Sequence, residues 1–389
     1  MISTRATARP WAALLGTLLA PHWAQGAGTI QIDDTRWVSV GAGIRAGFTS
    51  TEDATPSGDR SSTFAVQSLR LYVNGQASET VKFTLNTECE SCVFGQDAND
   101  PIGAAGDIDI LDAIAQFEFS PSFNLWIGRM LTPADRIEMN GPYYGLSWNQ
   151  YTVPLLPSDQ LGQAGLLGRD DGMTLWGTVG KFQYAVGLFD GVDGGPNVDD
   201  DLLFTTRVAF NFLEMEPNPA YYTSSTYFGE AGDIFTLALS SQSQKNGTGS
   251  ALSPGDFSAV ILDMLYENAF TNGSAFTVEA EYKKFDADLT PLALADPDCF
   301  CLFDGDAYFA TFAYLLPGSG PVRYQPYVRY SSNEPTDGPD SDLTEIGVNF
   351  LIRGHNARLN ANFTSGDANL TGMPGPDVDS FFFGVQIQI

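Results

Sequence analysis

Four cysteines and two histidines are the side chains that could carry metal, redox or nucleophilic chemistry in this chain of 389 residues. Cys89 and Cys92 form a CxxC motif, and Cys299 and Cys301 form a CxC motif. Haem attachment requires a histidine directly after the second cysteine of CxxC, and Val93 stands there instead. Because CxC spacing is unusual for a four-cysteine zinc site and exported thiols oxidise, we expect two disulfides, within or between these two loops.

The two histidines argue against a catalytic site. His22 lies in a segment that we expect to be removed, which leaves His355 as the single histidine of the mature chain. Ser-His-Asp or Cys-His catalysis would depend on that one side chain, which lies in a predicted tight turn. We therefore predict no enzyme activity, no cofactor and no resident metal ion.

The charge balance and the amino terminus indicate an exported protein that does not bind nucleic acid. Asp and Glu number 47 against 19 Lys and Arg, so the formal net charge is −28, and such a polyanion repels nucleic acid. Residues 1–26 have the order of a signal peptide, with Arg5 and Arg9 before an apolar stretch and the small-residue site Ala24-Gln25-Gly26 after it. We expect the mature chain to begin near Ala27.

Alternation of apolar and polar residues is the main fold signal of the mature chain. In residues 276–283 every even position is apolar, and the odd positions are a threonine, two glutamates and a lysine. About sixteen such period-two segments can be placed between residues 36 and 389, and each predicts a half-buried strand. Short connections alternate with long ones rich in Asp, Gly, Pro and Ser. No uncharged apolar run of roughly 18 residues follows the signal segment, so we expect no helical span.

An exported chain with this alternation is expected to form a closed barrel in the outer membrane. Hydrocarbon offers no hydrogen bonds, so a spanning sheet must close on itself and turn its apolar row outward. Short turns at one end and long loops at the other are typical of such barrels. We predict an all-β fold, a closed antiparallel transmembrane β-barrel of about 16 strands over residues 27–389. The alternative is an exported soluble β-sandwich whose core uses the same apolar rows.

Three stretches of the chain resemble one family of porins. They are the hairpin of residues 69–75 (LRLYVNG) and 81–86 (VKFTLN), residues 124–133 (NLWIGRMLTP), and residues 347–362 (GVNFLIRGHNARLNAN). These stretches are similar to the second and third strands, the strand before the third loop, and the penultimate hairpin of the phosphate-selective porins O and P. The resemblance implies a sixteen-stranded, trimeric pore in the outer membrane of a Gram-negative bacterium, with an inward-folded third loop as its constriction.

Charged residues on the polar rows form the predicted pore lining. The cationic set is Arg45, Arg70, Lys82, Arg207, Lys283, Arg323, Arg329, Arg353 and Arg358, and the anionic set is Asp112, Glu118, Asp263, Glu267, Glu279, Glu281 and Glu345. Arg129 has the parity of outward residues, so its predicted place in the lumen requires a β-bulge. The constriction is expected in residues 132–168, which contain Asp159, with Asp135, Arg136 and Glu138 at the narrow point.

Phosphate-selective members of the family line the pore with a ladder of Arg and a cluster of Lys, because cationic side chains replace the hydration that an anion loses. Here the lining is mixed, residues 132–168 contain no Lys cluster, and the loops at 190–201, 286–306 and 334–342 are acidic. We therefore predict a passive porin for small hydrophilic solutes and ions with weak cation preference. The alternatives are a phosphate- or anion-selective porin, and a structural barrel that sheathes or docks a partner protein.

Three tryptophans leave a further alternative open. Trp126, Trp148 and Trp176 would form a track for stacking sugars if all of them faced the lumen, whereas packing or interface positions are more usual for barrel tryptophans. The expected partners are outer-membrane lipid, further copies of the chain in a homotrimer, and small ions and solutes.

Overall fold

A computed structural model describes residues 28–90, 108–156 and 168–389. The predicted signal peptide, Cys92 and Asp159 lie outside these residues. The strands are β1 (Gly28–Gln31), β2 (Trp37–Thr51), β3 (Ser61–Gln76), β4 (Val81–Glu90), β5 (Asp109–Ser120), β6 (Phe123–Leu131), β7 (Arg169–Val179), β8 (Phe182–Phe189), β9 (Leu203–Asn211), β10 (Ile234–Ser250), β11 (Ser253–Ala269), β12 (Ala275–Ala287), β13 (Gly305–Leu315), β14 (Arg323–Pro335), β15 (Ser341–Leu351), β16 (Ala357–Gly366) and β17 (Val378–Gln388). The helices are α1 (Arg136–Tyr144) and α2 (Pro291–Leu294).

Sixteen of these strands close into one antiparallel barrel. Strands β2 to β17 pair in chain order, and β17 returns to pair with β2, where Gly384 lies opposite Gly47. The short strand β1 pairs with the first residues of β2, with Gly28 opposite Val40, and so continues the line of β17. Closure gives each of the strands β2 to β17 a partner on both sides, as a spanning sheet requires. The predicted fold class and strand number are confirmed.

The two faces of the barrel wall differ as the period-two pattern predicts. On β11, Leu262 is 50% exposed, whereas the next residue, Asp263, is 0% exposed. Apolar and aromatic residues occupy the exposed row on strand after strand, and polar or charged residues occupy the buried row. Because the sheet is closed, the buried row faces the interior. We call these inward-facing positions the interior row.

The two ends of the barrel have connections of different length. At the end where β2 begins and β17 ends, called here the turn end, β5 and β6 are joined by two residues and β7 and β8 by two residues. Longer connections, including residues 288–304, lie at the opposite loop end. Two connections depart from the predicted rhythm. Residues 212–233 form a long connection at the turn end, and only residues 251–252 join β10 to β11 at the loop end.

Neither α1 nor α2, the helices of the described residues, is long and apolar enough to cross a membrane.

Candidate functional site

Residues 132–156, called here the loop segment, follow β6 and pack against the interior row. Asp135 caps α1, because its carboxylate accepts a hydrogen bond from the backbone N–H of Glu138 at 3.1 Å. Lys283 on β12 places its Nζ 2.5 Å from Asp135 Oδ2 and 3.0 Å from Glu138 Oε1. All three side chains are buried. One ammonium group therefore joins two carboxylates of the loop segment to the wall.

The next residue of the loop segment, Arg136, is joined to two further elements. Its Nη1 and Nη2 lie 2.8 and 2.7 Å from the two carboxylate oxygens of Glu216, and its Nε lies 3.3 Å from Asp263 Oδ1 on β11. Burial alone would raise the pKa of Glu216, but the charge and hydrogen bonds of Arg136 lower it to about 2. The Glu216 carboxylate is therefore ionised at neutral pH, and the pair is a forked, charge-assisted one.

Helix α1 is interrupted after one turn, which frees the following backbone for contacts with the wall. Gly141 has φ +59°, in the left-handed region that favours glycine, and Pro142 follows it. Beyond this break, three arginines of the interior row donate hydrogen bonds to backbone carbonyl oxygens of the loop segment. The pairs are Arg358 with Gly145, Arg45 with Trp148, and Arg329 with Gln150, each at 2.7 Å.

Two of these arginines are unusual for buried cations. Within the described residues, no carboxylate oxygen lies within 4.0 Å of a nitrogen of Arg45 or Arg358. The Nε atoms of both side chains are buried and have no hydrogen-bond partner. Arg45 also lies 4.1 Å from the ring centre of Trp148, which favours a cation electrostatically. Backbone carbonyl dipoles and an aromatic ring, instead of carboxylates, therefore stabilise the positive charges of Arg45 and Arg358.

The interior row is half-buried on the turn-end half of strands β3, β4 and β5. Lys82 and Glu118 form an ion pair on adjacent strands, and their side chains are 32% and 23% exposed. Thr84 and Asn86 continue this row on β4 and are half-buried. By contrast, Thr311 on the opposite side of the barrel is 0% exposed. Water therefore reaches the turn-end half of the β3–β5 wall, whereas Arg70, Glu88 and Asp112 on its loop-end half are buried, as is the wall that the loop segment covers.

Residues 212–233, called here the strap, return from the turn end into the interior. The Thr223 hydroxyl donates a hydrogen bond to the carbonyl of Arg136 at 2.8 Å, and the backbone N–H of Ser225 donates one to the carbonyl of Tyr144 at 3.1 Å. The Thr226 hydroxyl donates to Glu267 on β11 at 2.7 Å. The strap thus contacts both the loop segment and the wall.

Most charged residues predicted to line the lumen lie on the interior row. They are Arg45, Arg70, Lys82, Asp112, Glu118, Arg207, Asp263, Glu267, Glu279, Glu281, Lys283, Arg329, Glu345 and Arg358. Many are engaged in pairs, such as Arg70 with Glu88 and Arg207 with Asp263. Asp135, Arg136 and Glu138, which we predicted at the narrow point, are buried and form ion pairs, so they anchor the loop segment and do not border water in this structure.

Three predicted lumen residues lie on the exposed row or at the turn end. Arg129 is on the exposed row and pairs with Asp171 at 3.0 Å, because the register between β6 and β7 is unbroken there and no bulge turns the side chain inward. Arg353 is exposed in the turn after β15. Arg323 begins β14 at the turn end, where its half-buried side chain donates a hydrogen bond to the carbonyl of Gly273. The prediction that Arg129 lines the lumen was wrong, while Arg323, which shares the inward parity of Gln325, and Arg353 stay predictions at the turn end.

The tryptophans do not form one track. Trp126 and Trp176 have ring centres 5.5 Å apart and contact Tyr221 of the strap. Trp148 packs instead on Phe382 of β17, at 5.0 Å. The strap residues Glu216 and Tyr221 were missed by the sequence analysis, although the long connection between β9 and β10 was a signal that could have indicated them.

The cysteine prediction is resolved in part. Cys299 and Cys301 form a disulfide with each other in the connection between β12 and β13. Cys89, at the end of β4, is also disulfide-bonded. The disulfide of the CxC motif therefore lies within one loop and does not join the two loops.

Exposed charge differs between the two ends of the barrel. The exposed cationic residues at the loop end, within the described chain, are Arg60, Lys245 and Lys284. Exposed acidic residues at the same end are far more numerous: Asp53, Asp59, Asp109, Asp171, Asp190, Asp193, Asp199, Asp200, Asp256, Asp286, Asp288, Asp298, Glu334, Asp337, Asp340, Asp342 and Asp377. The loop end therefore has a strongly negative electrostatic potential that attracts cations.

Comparison with known proteins places this architecture among bacterial channels. Residues 38–389 match the family model of phosphate-selective porins O and P. No curated protein sequence matches the chain.

Several solved structures share the fold at low sequence identity. An anion-selective porin from Comamonas acidovorans aligns with a TM-score of 0.58 and 12% identity, covering 91% of this chain and all of that one. The outer membrane protein OmpT of Vibrio cholerae in its trimer form aligns at 0.54 and 13%, covering 92% and 100%. The outer membrane channel DcaP of Acinetobacter baumannii aligns at 0.53 and 9%, covering 92% and 99%.

Proposed function

The chain belongs to the family of phosphate-selective porins O and P, and from this membership we propose that it is a passive diffusion pore for small hydrophilic solutes and ions with weak cation preference. As a porin it resides in the outer membrane of a Gram-negative bacterium. The barrel supplies an apolar exterior for lipid and a polar interior for water. In this orientation the turn end is the periplasmic end and the loop end is the outer end.

The observation that carries the proposal is the partly exposed interior row on β3–β5. Lys82 and Glu118 are partly exposed to water, whereas the wall that the loop segment covers is buried. An ion crossing the barrel needs a continuous set of polar groups that replace its hydration. Thr84, Asn86 and the Lys82–Glu118 pair provide hydroxyl, amide and charged groups along one wall. We propose that the permeation path follows this β3–β5 wall.

Support for cation preference comes from charge. Exposed acidic residues outnumber exposed cationic ones several-fold at the loop end, and ions entering from outside pass this surface first. Buried carboxylates also outnumber buried cationic side chains in the described residues. The preference is weak because most interior charges are paired, so they contribute little net field to the path.

Reversal potential in a KCl gradient tests this proposal. The purified full-length protein in planar bilayers is expected to give steady ohmic steps with a modest preference for K⁺ over Cl⁻. Conductance that is blocked by phosphate and favours anions would contradict the selectivity. Silence of the pure protein, with a stoichiometric partner on purification, would favour the structural barrel.

Anion passage is a second candidate because of the two unpaired arginines. Arg45 and Arg358 have no carboxylate partner among the described residues, and a solved structure of similar fold is named as an anion-selective porin. Both guanidinium groups are buried against the loop segment, which keeps them from the proposed path. The sign of the reversal potential separates the two candidates.

We also propose that the chain assembles as a homotrimer in the outer membrane. One protein of similar fold is described in a trimer form. Light scattering of the detergent-solubilised protein, corrected for bound detergent, is expected to give three times the mass of one chain. A monomer mass in mild detergent would contradict this assembly.

A further inference from the structure

The strap is the one long connection at the turn end within the described chain, and the barrel wall does not require it. Strands β9 and β10 already pair directly, with Asn211 opposite Thr236. Other strand pairs at this end are joined by turns of a few residues. A short turn could therefore replace the strap without loss of the backbone pairing between β9 and β10.

Instead of lying over the rim, the strap enters the barrel and meets the loop segment. Tyr221 donates a hydrogen bond from its hydroxyl to the carbonyl of Leu131, the last residue of β6 before the loop segment, at 2.8 Å, and Asn140 of the loop segment donates one to the Ser225 hydroxyl at 2.6 Å. Glu216 forms the forked pair with Arg136. The strap arrives from the turn end and the loop segment from the loop end, so the two meet inside the barrel from opposite sides.

We propose that the strap is a second constriction of the pore, positioned by the Arg136–Glu216 pair. This inference rests on the proposed function as a diffusion pore. The loop segment covers the wall from one end, and the strap fills interior volume from the other, so the free cross-section is set by both. Glu216 acts as a positioning residue, because it fixes the strap through Arg136 and does not itself border the path.

The charge pair is the part of the strap that a single substitution can release. Glu216 also accepts hydrogen bonds from the Tyr227 hydroxyl at 2.6 Å and from Asn218 at 3.2 Å, so its carboxylate organises the strap internally as well. Removing this carboxylate leaves the Arg136 guanidinium with Asp263 as its remaining acidic partner. The strap loses its fixed place and water enters the volume that it occupied.

Single-channel conductance of Glu216→Ala tests the inference. We expect about a twofold rise in conductance and passage of larger polyethylene glycols, because pore current scales with the open cross-section. Asp171→Asn is the matched control, since it removes an ion pair on the exposed row without touching the strap. Its conductance is expected to equal that of the wild-type protein. A Glu216→Ala channel with wild-type conductance and size limit would overturn the inference.

A cross-link distinguishes positioning from general damage to the fold. Asn140→Cys with Ser225→Cys replaces two side chains in hydrogen-bond contact and is expected to form a disulfide that holds the strap to the loop segment. Added to Glu216→Ala, this cross-link should restore the wild-type conductance, and reductant should raise it again. The wild-type protein in the same reductant controls for the native disulfides. Failure of the oxidised cross-link to lower the conductance would contradict positioning by the pair.

A shortened strap keeps the test decisive if Glu216→Ala does not fold. Replacing residues 214–232 with an Asn-Gly turn retains the β9–β10 pairing and is expected to conduct more than the wild-type protein. Silence of the wild-type protein beside a conducting shortened variant would still support the strap as a constriction. Equal conductance of the two would overturn it and leave the diffusion pore standing, and silence of both would overturn the proposed function as well.

Discussion

The loop segment is anchored to the barrel wall in two different ways along its length. At residues 135–138, called here the charged anchor, ion pairs join its side chains to Lys283 and to other wall or strap residues. At residues 143–152, called here the carbonyl anchor, wall side chains such as Arg358 bind its backbone carbonyls. The charged anchor therefore depends on the identity of loop side chains, whereas the carbonyl anchor depends on the identity of wall side chains.

This difference determines where the loop segment tolerates substitution. A backbone carbonyl is present whatever the side chain, so a substitution at 143–152 keeps the hydrogen bonds that the wall arginines donate, although side chains such as Trp148 and Gln150 make further hydrogen bonds of their own. At the charged anchor each change leaves a buried charge without its counter-ion, which is costly in a low-dielectric interior. The predictions below test this contrast.

The largest effect is expected for Lys283→Met. The substitution leaves Asp135 and Glu138 buried without their shared ammonium group, and breaking a buried pair in this way costs about 3–5 kcal/mol of unfolding free energy. The urea midpoint of the refolded barrel in detergent measures it. The triple variant with Asp135→Asn and Glu138→Gln removes the orphaned charges and should recover most of the loss. An unchanged midpoint for Lys283→Met would contradict the charged anchor.

A smaller loss is expected for Arg358→Met in the carbonyl anchor. The carbonyl of Gly145 loses its donor, which costs about 1–3 kcal/mol for a buried group. Part of this cost is offset because Arg45 loses a like-charged neighbour. The urea midpoint should fall by less than in Lys283→Met, and a larger fall would reverse the ranking of the two anchors.

Acid is expected to destabilise the folded barrel through His355, whose Nε2 lies 2.9 Å from the carbonyl oxygen of Thr226 in the strap. Burial, with a smaller contribution from the charge of Arg358, lowers the pKa of His355 to about 3. Below about pH 6.5 this histidine is protonated in the unfolded chain but stays neutral in the folded barrel. The free energy of unfolding therefore falls as the pH decreases from about 6.5 toward 3. His355→Gln removes the contribution of this histidine to the pH dependence of stability. The midpoint difference between the wild-type protein and His355→Gln should narrow over that range, and a constant difference would contradict the assignment.

The smallest effect is expected for Trp148→Phe. The variant loses one hydrogen bond, from Trp148 Nε1 to Gln67 Oε1 at 2.8 Å, and retains both the carbonyl that binds Arg45 and an aromatic ring beside the guanidinium. We expect a loss of about 1 kcal/mol. A loss as large as that of Lys283→Met would show that side-chain identity matters equally in both anchors.

The strand pattern could be predicted from the sequence because its information is local. The period of two places Glu279 and Glu281 inward without knowledge of any partner. The same rule places the side chain of Arg129 on the outward face, where the structure has it. The prediction that Arg129 lines the lumen was wrong because it assumed a β-bulge that the structure does not have there.

The anchors could not be predicted because their partners are distant along the chain. Asp135 and Lys283 belong to different elements, and nothing in either local sequence indicates the other. The strap was missed for a related reason. Its residues resemble an ordinary polar connection, and only its unusual length at the turn end distinguishes it.

The central claim is that ions pass along the β3–β5 wall while the opposite wall is sealed by the loop segment. Modification of single cysteines with a cationic thiol reagent during conductance recording tests it, with Thr84→Cys on β4 compared to Thr311→Cys on β13. The described native cysteines are disulfide-bonded and do not react. The account predicts a stepwise fall in K⁺ conductance for Thr84→Cys and no change for Thr311→Cys. Rapid block of Thr311→Cys with an unresponsive Thr84→Cys would contradict it.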